Sequence, residues 1–208
     1  LTGLQMAGSF QFLHSRELVW SALTRERLLG ERLRPNDLMA WNADVTRMPA
    51  AMHSEYLRRC YLHNELAEGL YPVEGKPVSL ADIRQPIFAV GTEKDHVSPW
   101  RSVYKLHRLT NTELTFALTN GGHNAGIVSE PGHAGRHYAM HTRRPDDAVL
   151  DADAWQAQAR RHEGSWWPAW HDWLLKHGSG TQVPGRRIDP AAALCDAPGQ
   201  YVLVRYHD

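Results

Sequence analysis

The stretch that decides the fold spans residues 86–126 and reads PIFAVGTEKDHVSPWRSVYKLHRLTNTELTFALTNGGHNAG. It contains two runs of strand-forming residues, 87–90 and 114–119, each long enough for a short buried strand. Residues 103–109, which lie between the two runs, suit a short helix. A strand, a helix and a second strand in this order predict a parallel α/β unit.

Helical patterns precede this unit. Apolar residues recur at spacings of three and four over residues 4–28, and a second helix is predicted from Pro49, a residue tolerated in a first turn, to about Ala67. Pro72, Gly75 and Pro77 then break the chain. The sequence therefore predicts a helical subdomain over residues 1–70.

The α/β core is predicted to extend over residues 71–177. Within it, residues 131–153 are polar and rich in Pro, Arg and His, which predicts an irregular excursion, and a last helix is predicted over residues 166–175. The tail, residues 178–208, is rich in Gly, Pro and Ala. We expect it to be loosely held.

Composition excludes several classes of protein. The 208 residues include 23 Lys and Arg and 23 Asp and Glu, so the formal net charge is zero and no nucleic-acid partner is expected. No apolar run is long enough to span a membrane. Cys60 and Cys195 form no C-x-x-C pair, which argues against a disulfide framework or a zinc site. We expect a soluble, cytoplasmic protein. Because the first residue is Leu1 and not Met, we also expect the sequence to begin inside a longer polypeptide.

Two side chains at the predicted strand ends are candidates for catalysis. Asp95 follows the first strand of the unit, and His123, flanked by glycines, follows the second. An acid before a histidine is the chain order of the catalytic residues in the α/β-hydrolase fold. Taken singly, the two residues also suit a turn carboxylate and an ordinary loop histidine. Because both lie at strand ends, separated by one helix-sized connection, the catalytic interpretation is as well supported as these plain alternatives.

A nucleophile to complete this pair is not evident in the sequence. The chain has no G-x-S-x-G motif and no cysteine equivalent. Cys60 lies inside a predicted helix and Cys195 in the tail, so neither is expected to be an activated nucleophile.

Five motifs resemble polyhydroxyalkanoate synthases, in that family's order. They are WNADVTRMP at 41–49, YLRRCYLHNEL at 56–66, DHVSPW at 95–100, GHNAG at 122–126 and GSWWP at 164–168. The resemblance extends from about Gly3 to Leu175. It implies the C-terminal half of an α/β-hydrolase core, with parallel strands and flanking helices, preceded by a helical cap.

The family resemblance also implies a reaction. Synthases of this family are acyltransferases that polymerise (R)-3-hydroxyacyl-coenzyme A into a polyester and release coenzyme A, with no further cofactor. His123 matches the family's general base. Asp95 matches the aspartate that either supports this histidine or activates the substrate 3-hydroxyl, and His96 is expected to lie beside it. Because the family's cysteine nucleophile has no match, the chain alone is expected to be inactive.

The resemblance further assigns residues of the cap. Tyr56 and Asn64 match positions along the substrate and coenzyme A passage, and their spacing of eight on a helix would place them on one side. A core aromatic and a helix-end polar residue are the plain alternatives. Trp41 matches a tryptophan near the family's dimer contact, or is ordinary core. A homodimer through the cap and association with the polyester granule are the implied partners.

Two clusters invite other interpretations. His133, His137 and His141 recur every four residues, but nearby Pro and Gly residues argue against a helix that would present them to a metal, so no metal is expected. Trp166, Trp167, Trp170 and Trp173 form an aromatic cluster, in which positions 166, 170 and 173 fall on one helix face together with Leu174. Packing against the core explains them better than a polymer-binding surface.

Two other functions fit the same motifs less well. An esterase or polyester depolymerase of this fold would carry a serine elbow upstream of the cap. A module that docks on the granule or dimerises would need no nucleophile at all.

Overall fold

The computed structural model describes residues 48–185 without a break, together with residues 5, 20, 23–30, 187, 189–196 and 199–200. The chain divides into two compact units. They comprise residues 1–63 with 185–208 and residues 64–184. Asp95 and His123 both belong to the second unit.

Helix α1 of the first unit spans Ala50–Tyr56 and begins directly after Pro49, as predicted. A proline at a helix start costs little because the first N–H groups of a helix have no partner within it. A π-helical turn continues α1 over Leu57–Leu62. Further short turns of this unit span Thr24–Leu28, which is π-helical, and Pro190–Ala192, which is 3-10 helical.

The predicted end of this helix near Ala67 is wrong, because the helical turns stop at Leu62. Asn64 has a φ of 53°, the left-handed conformation that commonly ends helices. The N–H groups of Leu70 and Tyr71 then bond back to the carbonyl of Glu65, at 2.7 and 3.1 Å. Trp41 and most of the helix predicted over residues 4–28 lie outside the described residues.

The second unit opens with a hairpin that was not predicted. Strand β1, Tyr71–Val73, pairs antiparallel with β2, Lys76–Val78. Glu74 and Gly75 form the turn with φ of 50° and 77°, as two-residue hairpin turns of type I′ require. Pro72 and Pro77, which predicted a break in the chain, face each other in this hairpin. A ribbon of only two strands tolerates them because both of its strands are edge strands. A 3-10 turn follows over Leu80–Asp82.

The main sheet of the described residues has four strands in the order β3-β4-β5-β6. These strands span Ile87–Thr92, Leu114–Thr119, His137–Arg143 and Arg160–Glu163. Strand β3 pairs parallel with β4, whereas the other two pairings are antiparallel. The predicted parallel unit is thus confirmed, and β4 has the predicted bounds.

Two short helices cross from β3 to β4, α2 at Trp100–Tyr104 and α3 at Leu106–Leu109. The single helix predicted over residues 103–109 is therefore interrupted after Tyr104. Helix α4 spans Ala152–Gln158, and its first turn is capped by the Asp151 carboxylate, which accepts the N–H of Ala154 at 2.8 Å. Helix α5 spans Trp167–His177, close to the predicted residues 166–175.

Side chains on both faces of the sheet are covered by helices, which gives the α/β fold. On one face, Phe116 of β4 packs on Trp155 of α4, with ring centroids 5.1 Å apart. On the other face, Phe88 of β3 contacts Trp166 and Trp173, with ring centroids 6.2 and 5.7 Å away. Successive side chains of a strand point to opposite faces of the sheet. Ile87 and Ala89 therefore pack on the face that holds Phe116 and Trp155, whereas Phe88 packs on the other face.

The irregular excursion predicted for residues 131–153 is wrong, because this segment contains β5 and the start of α4. Two of its polar residues have hydrogen-bond partners that a linear pattern cannot reveal. The hydroxyls of Thr142 and Thr115 lie 2.8 Å apart across the strands. Arg143 is buried and donates to the carbonyls of Thr110 and Thr112 at 3.0 and 3.1 Å.

None of the helices in the described part of the chain combines the length and the apolar character that a membrane span requires.

Candidate active site

The Asp95 carboxylate is held by the loop that follows β3. Its Oδ1 accepts the N–H groups of Val97 and Ser98 at 2.9 and 2.8 Å. Aspartates form such turns readily because their short side chain reaches the backbone two and three residues on. The side chain is only 8% exposed, so the loop fixes the carboxylate below its surface.

His123 lies in the loop that follows β4. The chain turns at Gly121, which has a φ of 111°, and a Cβ at that position would approach Gly126 to 3.0 Å. Glycine is therefore required there for both conformation and space. The N–H of Lys94 donates to the Gly121 carbonyl at 3.0 Å, which ties the two loops together.

The two candidate side chains are in direct contact. His123 Nδ1 lies 2.8 Å from Asp95 Oδ2, the distance of a hydrogen bond. The contact follows from the topology, because the carboxyl ends of adjacent parallel strands meet at one edge of the sheet. The hydrogen-bond contact expected from the chain order is present.

Electrostatics favour a charged Asp95. Burial raises the pKa of this carboxyl. Hydrogen bonds from the N–H of Ser98, the His123 ring and the N–H of Val97 lower it by more than burial raises it, so the pKa of Asp95 lies below the usual value. An ionised carboxylate can only accept hydrogen bonds, so Nδ1 of His123 carries the shared proton. The Nε2 atom then holds the lone pair and has no partner among the described residues.

This arrangement provides a histidine base. The carboxylate fixes the ring orientation and tautomer and stabilises the imidazolium that forms when Nε2 takes a proton. The His123 side chain is 47% exposed, so Nε2 is accessible to a reacting group. His123 and Asp95 are the second and third members of a nucleophile-base-acid set.

Comparison with known proteins identifies relatives that match the whole chain. The sequence is 38% identical over 206 residues to the poly(3-hydroxyalkanoate) polymerase subunit PhaC of Rhizobium meliloti and 39% identical over 207 residues to that of Rhizobium etli. It is 36% identical over 213 residues to the PhaC subunit of Cupriavidus necator. Each alignment covers 99% of the chain.

The chain resembles the C-terminal part of poly(3-hydroxyalkanoate) polymerases. It spans about a third of the length of these relatives, between 32% and 35%. No protein-family model matches the sequence. The resemblance inferred from the five motifs is confirmed.

The cysteines of this polymerase-like chain do not lie at strand ends. Cys60 is half-buried in the π-helical turn Leu57–Leu62, and Cys195 is exposed in a bend shortly after the turn Pro190–Ala192. A nucleophile of this kind needs a sharp turn between a strand and a helix. Neither thiol has that setting.

The residues matched to the polymerase passage occupy two different local structures. Tyr56 ends α1, is 44% exposed, and has its hydroxyl 3.4 Å from that of Tyr61, a contact that raises the pKa of Tyr56. Asn64 lies beyond the helical turns, so the expectation that the pair lies on one side of a single helix is wrong. His96 is an exposed residue directly after Asp95. Roles for these three residues remain predictions.

The histidines considered for a metal are separated by the fold. His137 and His141 lie on β5, whereas His133 lies in the preceding loop, where its Nδ1 is 2.8 Å from a Glu130 carboxylate oxygen. Across the described residues, no three His, Cys, Asp or Glu side chains are grouped closely enough to hold a metal ion.

Sequence reasoning missed the residues that hold the His123 loop in place. A Cβ on Gly126 would lie 2.6 Å from Cγ2 of Thr92, so this glycine lets the loop rest directly on the end of β3. Trp166 and Trp167 also donate to this loop through their indole N–H groups. The GSWWP motif was the one sequence signal for Trp166 and Trp167, and the sequence analysis assigns its tryptophan cluster to core packing.

Proposed function

We propose that this chain is the C-terminal portion of an acyltransferase that joins (R)-3-hydroxyacyl units from their coenzyme A thioesters into a polyester. The observation that carries the proposal is the 2.8 Å contact between Asp95 and His123 at the carboxyl ends of two parallel strands. The similarity to poly(3-hydroxyalkanoate) polymerases supports it, because the names of those relatives specify the polymer.

His123 acts as the base in both halves of the reaction. In the first half, Nε2 takes the proton of a cysteine thiol supplied by another part of the polypeptide, and the sulfur bonds to the acyl carbon. The bond from that carbon to the coenzyme A sulfur breaks, and coenzyme A leaves with the proton. In the second half, Nε2 takes the proton of a 3-hydroxyl, whose oxygen bonds to the acyl carbon. The cysteine sulfur leaves and recovers the proton.

Asp95 orients His123 in this proposal and does not contact the hydroxyl of the substrate. Its Oδ1 is occupied by two backbone N–H groups and its Oδ2 by the histidine ring. The side chain is only 8% exposed, which limits the access of an incoming unit to the carboxylate. The accessible Nε2 of His123 is the better acceptor for a hydroxyl proton.

The remaining features of a polymerase are assigned on the resemblance. Residues 71–177 would form the C-terminal half of an α/β-hydrolase core and residues 1–70 its helical cap. Tyr56 and Asn64 would line the passage for the substrate and coenzyme A. A dimer through the cap, a granule partner and a cytoplasmic location complete the proposal. The similarity over nearly the whole chain supports these assignments together.

An Asp95→Asn variant of the full-length polypeptide that carries this sequence tests the proposal. We expect coenzyme A release from 3-hydroxybutyryl-coenzyme A to fall by about 10³- to 10⁴-fold, because an amide neither fixes the tautomer nor stabilises the imidazolium. Formation of the acyl-enzyme, followed by mass spectrometry after rapid quenching, should slow by a similar factor. A variant that acylates at the normal rate and then stalls would assign Asp95 to the hydroxyl instead.

A further inference from the structure

The loop that carries His123 accepts hydrogen bonds from three consecutive residues, Ser165, Trp166 and Trp167, the last of which begins α5. The indole N–H of Trp166 donates to the Gly126 carbonyl at 3.3 Å, and that of Trp167 donates to the Ile127 carbonyl at 3.0 Å. The Ser165 hydroxyl donates to the Ser129 carbonyl. One short segment thus engages three carbonyl groups within four residues of the loop.

Core packing alone does not produce these contacts. Trp173 lies on the same helix and packs on the same Phe88 ring, yet its buried indole N–H has no acceptor among the described residues. A buried N–H without a partner is unfavourable, so tryptophans usually find one. Trp166 packs on Phe88 as well, with its ring 6.2 Å away, but it also directs its N–H at the loop. Trp167 makes the same kind of contact from a half-buried position.

The engaged carbonyls are connected to His123 by one tight turn. The N–H of Gly126 donates to the Gly122 carbonyl at 2.9 Å, and that of Val128 donates to the Asn124 carbonyl at 2.9 Å. The first of these bonds spans His123, and the second continues the turn directly after it. Fixing the backbone at Gly126 and Ile127 therefore fixes the backbone from which the imidazole projects.

The turn also rests on the end of β3. Thr92 is buried, and its methyl group lies directly beneath Gly126, where a Cβ would come within 2.6 Å. The loop thus contacts both the end of the strand and the indole donors. These contacts together restrict the positions that the loop can take.

We propose that Trp166 and Trp167, here called the indole clamp, are positioning residues that hold the His123 loop so that the imidazole stays on the Asp95 carboxylate. The effect on turnover rests on the proposed function, whereas the effect on the position of the His123 loop does not. Displacing a catalytic group by about 1 Å can cost on the order of 100-fold in rate, so a clamp of this kind would influence turnover without touching substrate.

The test compares Trp166→Phe and Trp167→Phe with Trp173→Phe in the full-length polypeptide. Each change keeps an aromatic ring and removes one indole N–H, but only the first two remove a donor from the loop. We expect hydrogen exchange at the amides of Gly126 and Val128 to become about five- to tenfold faster in both clamp variants, which is the effect of losing one hydrogen bond. The Trp173→Phe control should leave these amides unchanged.

A second measurement separates positioning from general loosening. The Asp95 carboxyl, followed by NMR titration, should show a higher pKa in the clamp variants because the His123 contact that helps to lower it is weakened. With 3-hydroxybutyryl-coenzyme A as substrate, kcat should fall several-fold while KM stays constant.

Three outcomes would be decisive. Unchanged exchange and an unchanged Asp95 titration in both clamp variants would overturn the clamp, and so would equal effects in the Trp173→Phe control. Faster exchange and a shifted titration in the clamp variants, together with a wild-type protein that releases no coenzyme A, would support the clamp and defeat the polymerase proposal.

Discussion

At the scale of single residues, His107 is a buried histidine whose ring has no polar partner. It is 1% exposed, its ring lies 4.3 Å from that of Tyr104, and neither nitrogen has a hydrogen-bond partner among the described residues. Burial, and then the charges of Arg143 and His141, lower the pKa of His107 from 6.5 to about 4. The folded protein therefore keeps this ring neutral at a pH where the unfolded chain protonates it.

This difference predicts a loss of stability in mild acid. The contribution of His107 is complete above pH 6.5 and declines as the pH falls toward about 4. Between about pH 7.5 and about pH 5, the free energy of unfolding should fall by roughly 2 kcal/mol on account of this residue. Urea denaturation of wild type and His107→Leu at both pH values checks it. Leucine has a similar volume and does not titrate, so the variant should lose less stability, and an identical decline in both proteins would contradict the assignment.

The candidate pair was predictable at this scale, whereas His107 was not. Asp95 and His123 stand directly after two recognisable strands, and adjacent parallel strands leave little choice about where their ends meet. His107 sits in a short helical segment with Lys105 and Arg108, a pattern that equally suits an exposed face. Its burial depends on Tyr104 and Phe116, which reach it through the tertiary fold.

At the scale of elements, the loop after β4 contains a second glycine, besides Gly121, that has no room for a side chain. A Cβ on Gly126 would lie 2.6 and 2.9 Å from Thr92 side-chain carbons and 3.1 Å from the Asn120 carbonyl. Gly122, in the same loop, has only the Lys94 carbonyl within 4.0 Å. The two positions form a matched pair for substitution.

Gly126→Ala should lower the free energy of unfolding by about 1 to 3 kcal/mol, the usual cost of overpacking a tight site. Gly122→Ala should change it by no more than about 0.5 kcal/mol, as most substitutions in open positions do. Urea denaturation of the two variants gives the comparison. Equal losses would mean that the loop does not rest on Thr92 as described.

The predictable elements were those with a strong local pattern. Strand β4 is fully buried and rich in strand-forming residues, so its bounds were correct. Strand β5 reads HYAMHTR and was missed because its polar residues suggest an exposed segment. Their hydrogen-bond partners lie on β4 and in the loop that precedes β4. The end of the first helical region was missed because Asn64 in a left-handed conformation leaves little trace in a linear pattern.

At the scale of the whole molecule, the α/β fold and the resemblance to polymerases were both predictable, and for different reasons. The fold followed from two strands and a crossover. The resemblance followed from five motifs in order, and the relatives confirm it over 99% of the chain. The hydrolase core, the cap and the passage are proposals that rest on this resemblance.

The central claim is that His123, held by Asp95, is the base of an acyl transfer. The most direct test is coenzyme A release from 3-hydroxybutyryl-coenzyme A by the full-length polypeptide and by its His123→Gln variant, with circular dichroism to verify folding. Glutamine fills similar space but cannot accept the proton, so we predict release by the wild type and a loss of about 10⁴-fold or more in the variant. A folded His123→Gln protein that releases coenzyme A near the wild-type rate would contradict the account, as would a wild type that releases none.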